Sequence, residues 1–174
     1  MEATGFDLSL GSLGSADVDL MRRLVAVLGR TRHRYIVSKG PLADTYELPD
    51  NMWGAAQVPQ TNVLPLVDLV ITHGGNNTTT EAFHFGKPMI LLPLFWDQYD
   101  NAQRMDELGF GVRLATYSFT DDDICEVVDH CRLTILSRPW WPETKPVIVP
   151  GQVGIDKNAM KLNDPDYLLD ELCA

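Results

Sequence analysis

Short apolar runs alternate along the chain with longer stretches in which apolar residues return every three or four positions, the signature of strands alternating with amphipathic helices. Phe6–Leu10 reads as the first strand, closed by Gly11. Ala16–Leu28 then places Val18, Met21, Val25 and Leu28 on one helical face, and Gly29 stops it. Tyr35–Val37 reads as a second strand and Asn51–Gly54 as a short third, with Gly40-Pro41 and Leu48-Pro49-Asp50 supplying turns between them. Asp68–Thr72 is the clearest strand, and it runs through His73-Gly74-Gly75-Asn76-Asn77 into a helix from about Thr78 to Phe85. Gly86-Lys87-Pro88 ends that helix before the strand Met89–Leu92. Asp97–Leu108 reads as a helix, Gly111–Leu114 as a strand, and Asp121–Leu136 as a helix capped by Thr120.

Repeated strand–helix units predict an α/β fold, a Rossmann-like parallel sheet with helices on both faces, formed by residues 1–137 as one domain. From Arg138 the pattern changes. Pro139, Pro142, Pro146 and Pro150 prevent a long helix, so residues 138–174 are expected to form a divergent extension. Within it, Val147–Val149 reads as a short strand and Tyr167–Leu172 as a short helix.

Composition narrows the function classes. A chain of 174 residues, 45% hydrophobic and 22% charged, suits one soluble domain with a buried core. A net charge of -10 argues against a nucleic-acid partner. No apolar run approaches the ~20 residues of a membrane span. Met1–Asp7 lacks the basic-then-apolar order of a secretory signal, so a cytoplasmic location is expected. Cys125, Cys131 and Cys173 are an odd set without metal-type spacing, which argues for reduced thiols and against zinc or a structural disulfide.

The chemistry concentrates after the clearest strand. In an open parallel sheet, ligands bind beyond the carboxyl ends of the strands. Gly74-Gly75 lets backbone amides approach an anion, and the following helix offers unpaired N–H groups at the positive end of its dipole. Asn77, Thr78 and His73 add side-chain donors, a set that suits a diphosphate. Glu81 lies one turn beyond Asn77 on the same side of that helix, where a carboxylate can accept both hydrogen bonds of a ribose diol. After the next strand, Asp97 and Gln98 offer an acceptor pair and an amide for vicinal sugar hydroxyls. Each feature also has a plainer reading: Gly-Gly as a turn, Asn or Thr as a cap, Asp97 as the N-cap of its helix. Two polar clusters on one sheet edge favour a binding site. His84, His33 and His130 are assigned no role.

Taken together, these segments resemble the carboxyl-terminal domain of the UDP-glycosyltransferase superfamily, whose enzymes pair two Rossmann-like domains in the GT-B fold. The matching residues are Pro59-Gln60, then His73, Gly75, Asn77, Thr78 and Glu81, then Gly86, Pro88 and Met89, and finally Asp97, Gln98 and Asn101. Leu8-Ser9-Leu10-Gly11-Ser12 is similar to the family's first strand and loop, and the likeness extends to about Leu136. The resemblance implies that Ser12 and His73 approach the diphosphate, with Gly75, Asn77 and Thr78 around the phosphate nearest the nucleoside. It implies Glu81 on the ribose hydroxyls, Gln60 near the base, and Asp97 with Gln98 on the donor sugar. Gln57 stands where the family carries a base-stacking tryptophan, leaving both UDP- and TDP-sugars as expected donors.

The implied reaction is metal-independent, needs no cofactor, and inverts the anomeric carbon as an acceptor hydroxyl displaces the nucleoside diphosphate. The resemblance places the catalytic base and acceptor pocket in an amino-terminal domain, here expected from a partner chain or a longer protein. No catalytic residue is therefore assigned in this chain, which alone is expected to bind donor weakly and catalyse little. The alternative is a non-catalytic nucleotide-binding or relic module. A dinucleotide-dependent oxidoreductase fits poorly: Gly11-Ser12-Leu13-Gly14-Ser15 lacks the third glycine of that fingerprint, and no acidic residue ends the second strand.

Overall fold

The computed structural model describes residues 3–136; the two segments expected in residues 138–174 lie outside them. Six parallel strands form one sheet: β1 (Gly5–Ser9), β2 (Arg34–Ser38), β3 (Met52–Ala55), β4 (Leu69–Thr72), β5 (Met89–Leu91) and β6 (Gly111–Arg113). Their order across the sheet is β3-β2-β1-β4-β5-β6. The chain builds outward from β1 in one direction, then returns to its other side with β4. This Rossmann-like order opens a crevice at the carboxyl ends of β1 and β4, where the direction reverses.

Helices α1 (Gly11–Gly14), α2 (Val18–Leu28), α3 (Gln60–Val63), α4 (Asn76–His84), α5 (Gln98–Glu107) and α6 (Asp121–Leu136) cover the sheet. Strand alternation sends Phe6, Leu8 and Leu10 to one face, where they pack with Met21, Leu24 and Leu28 of α2 and with Ile124 and Val128 of α6. On the other face Val70, Met89 and Leu91 meet Ala82 of α4 and Ala102 of α5. Ile36 meets Val63 of α3 there.

The ends of the helices follow from local chemistry. α2 begins at Val18, not at Ala16, because the Asp17 carboxylate accepts the Leu20 amide at 3.1 Å and fixes the cap there. α6 opens as expected, with the Thr120 hydroxyl accepting the Asp123 amide at 3.1 Å while Asp123 accepts the Thr120 amide at 2.7 Å. Farther along α6, Asp129 accepts a hydrogen bond from His33 Nε2 at 2.9 Å, and His33 Nδ1 accepts the Thr4 amide at 3.2 Å. His33 is thus a buried tie between α6 and the start of the sheet.

Candidate functional site

β4 ends at Thr72, and the next three residues form a braced turn. Gly74 has φ 84, and a Cβ there would lie 3.1 Å from the Gln98 carbonyl oxygen. Its amide donates to Thr72 Oγ1 at 3.3 Å, and its carbonyl accepts from Asn101 Nδ2 at 2.9 Å. Gly75 is the N-cap of α4 and offers no side-chain cap. The first intrahelical bond there runs from the Thr79 amide to the Gly75 carbonyl, so the amides of Asn76, Asn77 and Thr78 are among the donors a helix start leaves without an intrahelical acceptor. The alternative reading of Asn or Thr as a side-chain cap is not realised.

His73 stands beside this helix start, wedged between two glycines. A Cβ on Gly11 would lie 2.8 Å from its Nε2, and one on Gly75 would lie 2.4 Å from the same atom. Only glycine at both positions leaves room for the imidazole. Burial pulls the His73 pKa below its ordinary value, while a hydrogen bond to the Ser9 backbone and the Asp97 carboxylate pull the other way.

Seven of the nine residues singled out in the sequence line one cleft of about 690 Å³: Ser12, Gln60, His73, Gly75, Asn77, Thr78 and Glu81. The cleft lies at the β1–β4 crevice. Ser12 comes from α1 and Gln60 from α3, two single-turn helices too short for periodicity to reveal. The Glu81 carboxylate makes no hydrogen bond or ion pair among the described residues and is half-buried. An adjoining hollow of about 460 Å³ shares Gly11, Ser12, Gln57, Val58 and Gln60 with the cleft and continues past Ser38. A third cavity, of about 360 Å³, lies at the opposite, amino-terminal edge of the sheet, away from the glycine-rich turn.

Two side chains are committed differently from the sequence expectation. The Thr78 hydroxyl donates to Gln60 Oε1 at 3.3 Å, joining α4 to α3, so its hydrogen is already engaged. Gln98 is buried, and its Oε1 accepts the amides of Leu94 and Phe95 at 2.9 and 3.2 Å, bracing the turn before α5.

Asp97 and Gln98 do not line the cleft itself. Asp97 is exposed, near enough to His73 to act on its charge, and accepts from Asn101 Nδ2 at 3.3 Å. It occupies the N-cap of α5 without capping it. Trp96, just before it, has φ 53, the one positive value outside glycine among the described residues.

One polar residue of the site region escaped the sequence reading. Asp7, in the middle of β1, is 1% exposed. A single acidic residue inside an otherwise apolar central strand was the signal available.

Among the described residues, no group of three or more His, Cys, Asp or Glu is placed to hold a metal ion, and Cys125 is a free thiol. No helix among them is long and apolar enough to cross a membrane.

Residues 22–137 match the family described as erythromycin biosynthesis protein CIII-like, C-terminal domain. The NDP-glycosyltransferase YjiC of Bacillus subtilis (strain 168) is 34% identical over 124 residues, covering 70% of this chain and 32% of that protein. The chain thus spans about a third of the length of such relatives. The solved glycotransferase of kitacinnamycin superposes with a TM-score of 0.65 at 27% identity, over 78% of this chain and 35% of that one. The glycosyltransferase VinC, solved in complex with dTDP, shares the fold at a TM-score of 0.60 and 23% identity, over 78% of this chain and 34% of its own. The chain belongs to the erythromycin biosynthesis protein CIII-like C-terminal domain family and is a glycosyltransferase carboxyl-terminal domain of the UDP-glycosyltransferase type, one Rossmann-like half of the GT-B fold.

Proposed function

We infer that this domain holds the nucleoside diphosphate of a UDP- or TDP-sugar while the sugar passes to an acceptor hydroxyl with inversion. The observation that carries the reading is the start of α4. Its amides lack a side-chain cap, follow two glycines, and share a cleft with the free Glu81 carboxylate. The diphosphate sits against the amides of Asn76–Thr78, with Ser12, Asn77 and His73 beside it. The ribose reaches Glu81, and the base lies toward Gln57 and Gln60 in the adjoining hollow. The dTDP bound by VinC supports a ligand of this class. Beyond His73, Asp97 stands where the donor sugar would extend, on a turn that Gln98 holds in shape.

In the proposed reaction no metal is required. As the bond to the anomeric carbon breaks, negative charge grows on the departing diphosphate, and fixed amides at the positive end of a helix stabilise it there. The base that deprotonates the acceptor, and the acceptor pocket, belong to an amino-terminal domain in the same protein or a partner chain.

Calorimetric titration with UDP, TDP and UMP tests the reading. UDP and TDP should bind, and UMP, lacking the second phosphate, about tenfold more weakly. Sugar transfer on adding an acceptor domain then separates a working component from a relic module. Absence of binding by all three nucleotides would refute the reading.

Gly75→Ala offers an independent check. Its backbone, φ -65 and ψ 146, suits alanine, so unfolding free energy should change by less than about 1 kcal/mol. The added Cβ would displace the imidazole, and UDP affinity should drop about tenfold.

A further inference from the structure

Asp7 does not line the cleft, yet its position is unusual. Its partners across the sheet are Ile36 of β2 and Val70 of β4. Ile36 packs with Val63 of α3, and Val70 with Ala82 of α4. Because Phe6 and Leu8 point toward α2 and α6, strand alternation turns Asp7 to the opposite face, toward the seam between α3 and α4. Those two helices supply Gln60, Thr78 and Glu81 to the cleft. Asp7 therefore belongs to the floor beneath it.

The floor is polar and incompletely paired. Asp7 Oδ2 is buried without a hydrogen-bond partner among the described residues, as are Gln60 Nε2 on α3 and Thr79 Oγ1 on α4. An isolated buried carboxylate strongly disfavours its charged form. The ionisable groups on the surrounding elements are Glu81 and His84 on α4, Asp68 before β4, Arg34 and Tyr35 on β2, and Lys87 after α4; α3 carries none. Asp68 accepts the Gly5 amide at 3.0 Å, and Lys87 donates to the Val67 carbonyl at 2.7 Å. Glu81 is the carboxylate that acts on Asp7.

We propose that Asp7, buried and unpaired beneath the cleft, is a positioning residue of the donor site, whose neutral form keeps negative charge out of the floor beneath the nucleoside diphosphate. This assignment rests on the donor-binding reading above. Burial, with the Glu81 carboxylate adding to it, pushes Asp7 up to about 7. A nucleotide-sugar carries two negative charges throughout the neutral range and brings them to the top of the same seam. Binding then strengthens Asp7's hold on its proton. By reciprocity, protonated Asp7 strengthens binding. Affinity is highest below pH 7 and falls as Asp7 ionises.

Titrating UDP-glucose between pH 6.5 and 8.5 tests this, because its diphosphate keeps a constant charge. Burial holds His73 below its ordinary value, so Asp7 is the group raised into that window. Wild-type affinity should fall about three- to tenfold across the window. Asp7→Asn should bind with a flat profile, and at pH 8.5 as tightly as wild type at pH 6.5. A purely structural role would alter stability and leave the slope in place. Should Asp7→Asn not fold, carbon-13 NMR of the Asp7 carboxyl in the wild-type chain gives the answer. Its midpoint should lie near 7 and move upward with saturating UDP-glucose. A flat wild-type profile, a slope retained in Asp7→Asn, or a midpoint unmoved by ligand overturns the assignment. Binding with no pH dependence sinks the role of Asp7 alone, whereas no binding at any pH sinks the donor-site reading as well.

Discussion

In urea unfolding, Asp7→Asn should gain on wild type by about 4 kcal/mol as the pH is raised from 4 to 8. The sign follows from where the proton is held. In the fold Asp7 titrates near 7, whereas an exposed aspartate titrates near 3.8. Between those values the unfolded chain gives up its proton while the native chain keeps it. The native state then binds more protons, and stability falls as pH rises. Above about pH 7 both states are ionised and the loss levels off. Asparagine has nearly the same shape and no such loss. At pH 4, with Asp7 neutral in the fold, the two proteins should differ only by the fit of the amide, about 1 kcal/mol. Other titrating groups act on both chains and cancel in the difference. Parallel profiles for the two proteins would mean that Asp7 is already charged or well solvated in the native state.

Glu81→Ala should discriminate between sugars as well as weaken binding. Uridine's ribose carries two hydroxyls that a carboxylate can accept, while the deoxyribose of thymidine carries only the 3′-hydroxyl. Each hydrogen bond to a charged group contributes roughly 1.5–3 kcal/mol. Removing the carboxylate should therefore weaken UDP about 100-fold and TDP about tenfold, measured calorimetrically at pH 7. Glu81 has no hydrogen-bond or ion-pair partner to lose among the described residues, so the fold should tolerate the change. Equal losses for the two nucleotides would place the ribose elsewhere.

Much of this architecture was legible before the structure. The apolar runs marked all six strands, and the glycine-rich turn after β4 marked the cleft. What escaped detection did so for identifiable physical reasons. α1 and α3 are one turn each, too short to repeat an apolar position, yet they deliver Ser12 and Gln60 to the cleft. β3 runs from Met52 to Ala55, one residue beyond the expected strand, because pairing with β2 sets its bounds and four residues carry little pattern. The engagement of Thr78 with Gln60, and of Gln98 with its own loop, depends on side-chain directions that residue type does not reveal. Asp7 is the sharpest case. Its chemistry depends on being enclosed by α3 and α4, whose residues lie more than fifty positions further along the chain.

The ladder between β1 and β4 has a mechanical meaning. β3-β2-β1 comes from one continuous stretch of chain and β4-β5-β6 from the next, so the sheet is two consecutive halves zipped along Phe6–Leu69 through Ser9–Thr72. The cleft straddles that zipper, taking Gly11 and Ser12 from one half and His73 to Glu81 from the other. A molecule lodged there acts as a clasp. Any excursion that parts the halves must first expel it, so occupancy damps opening of the whole sheet, with a strength that grows with the logarithm of ligand concentration.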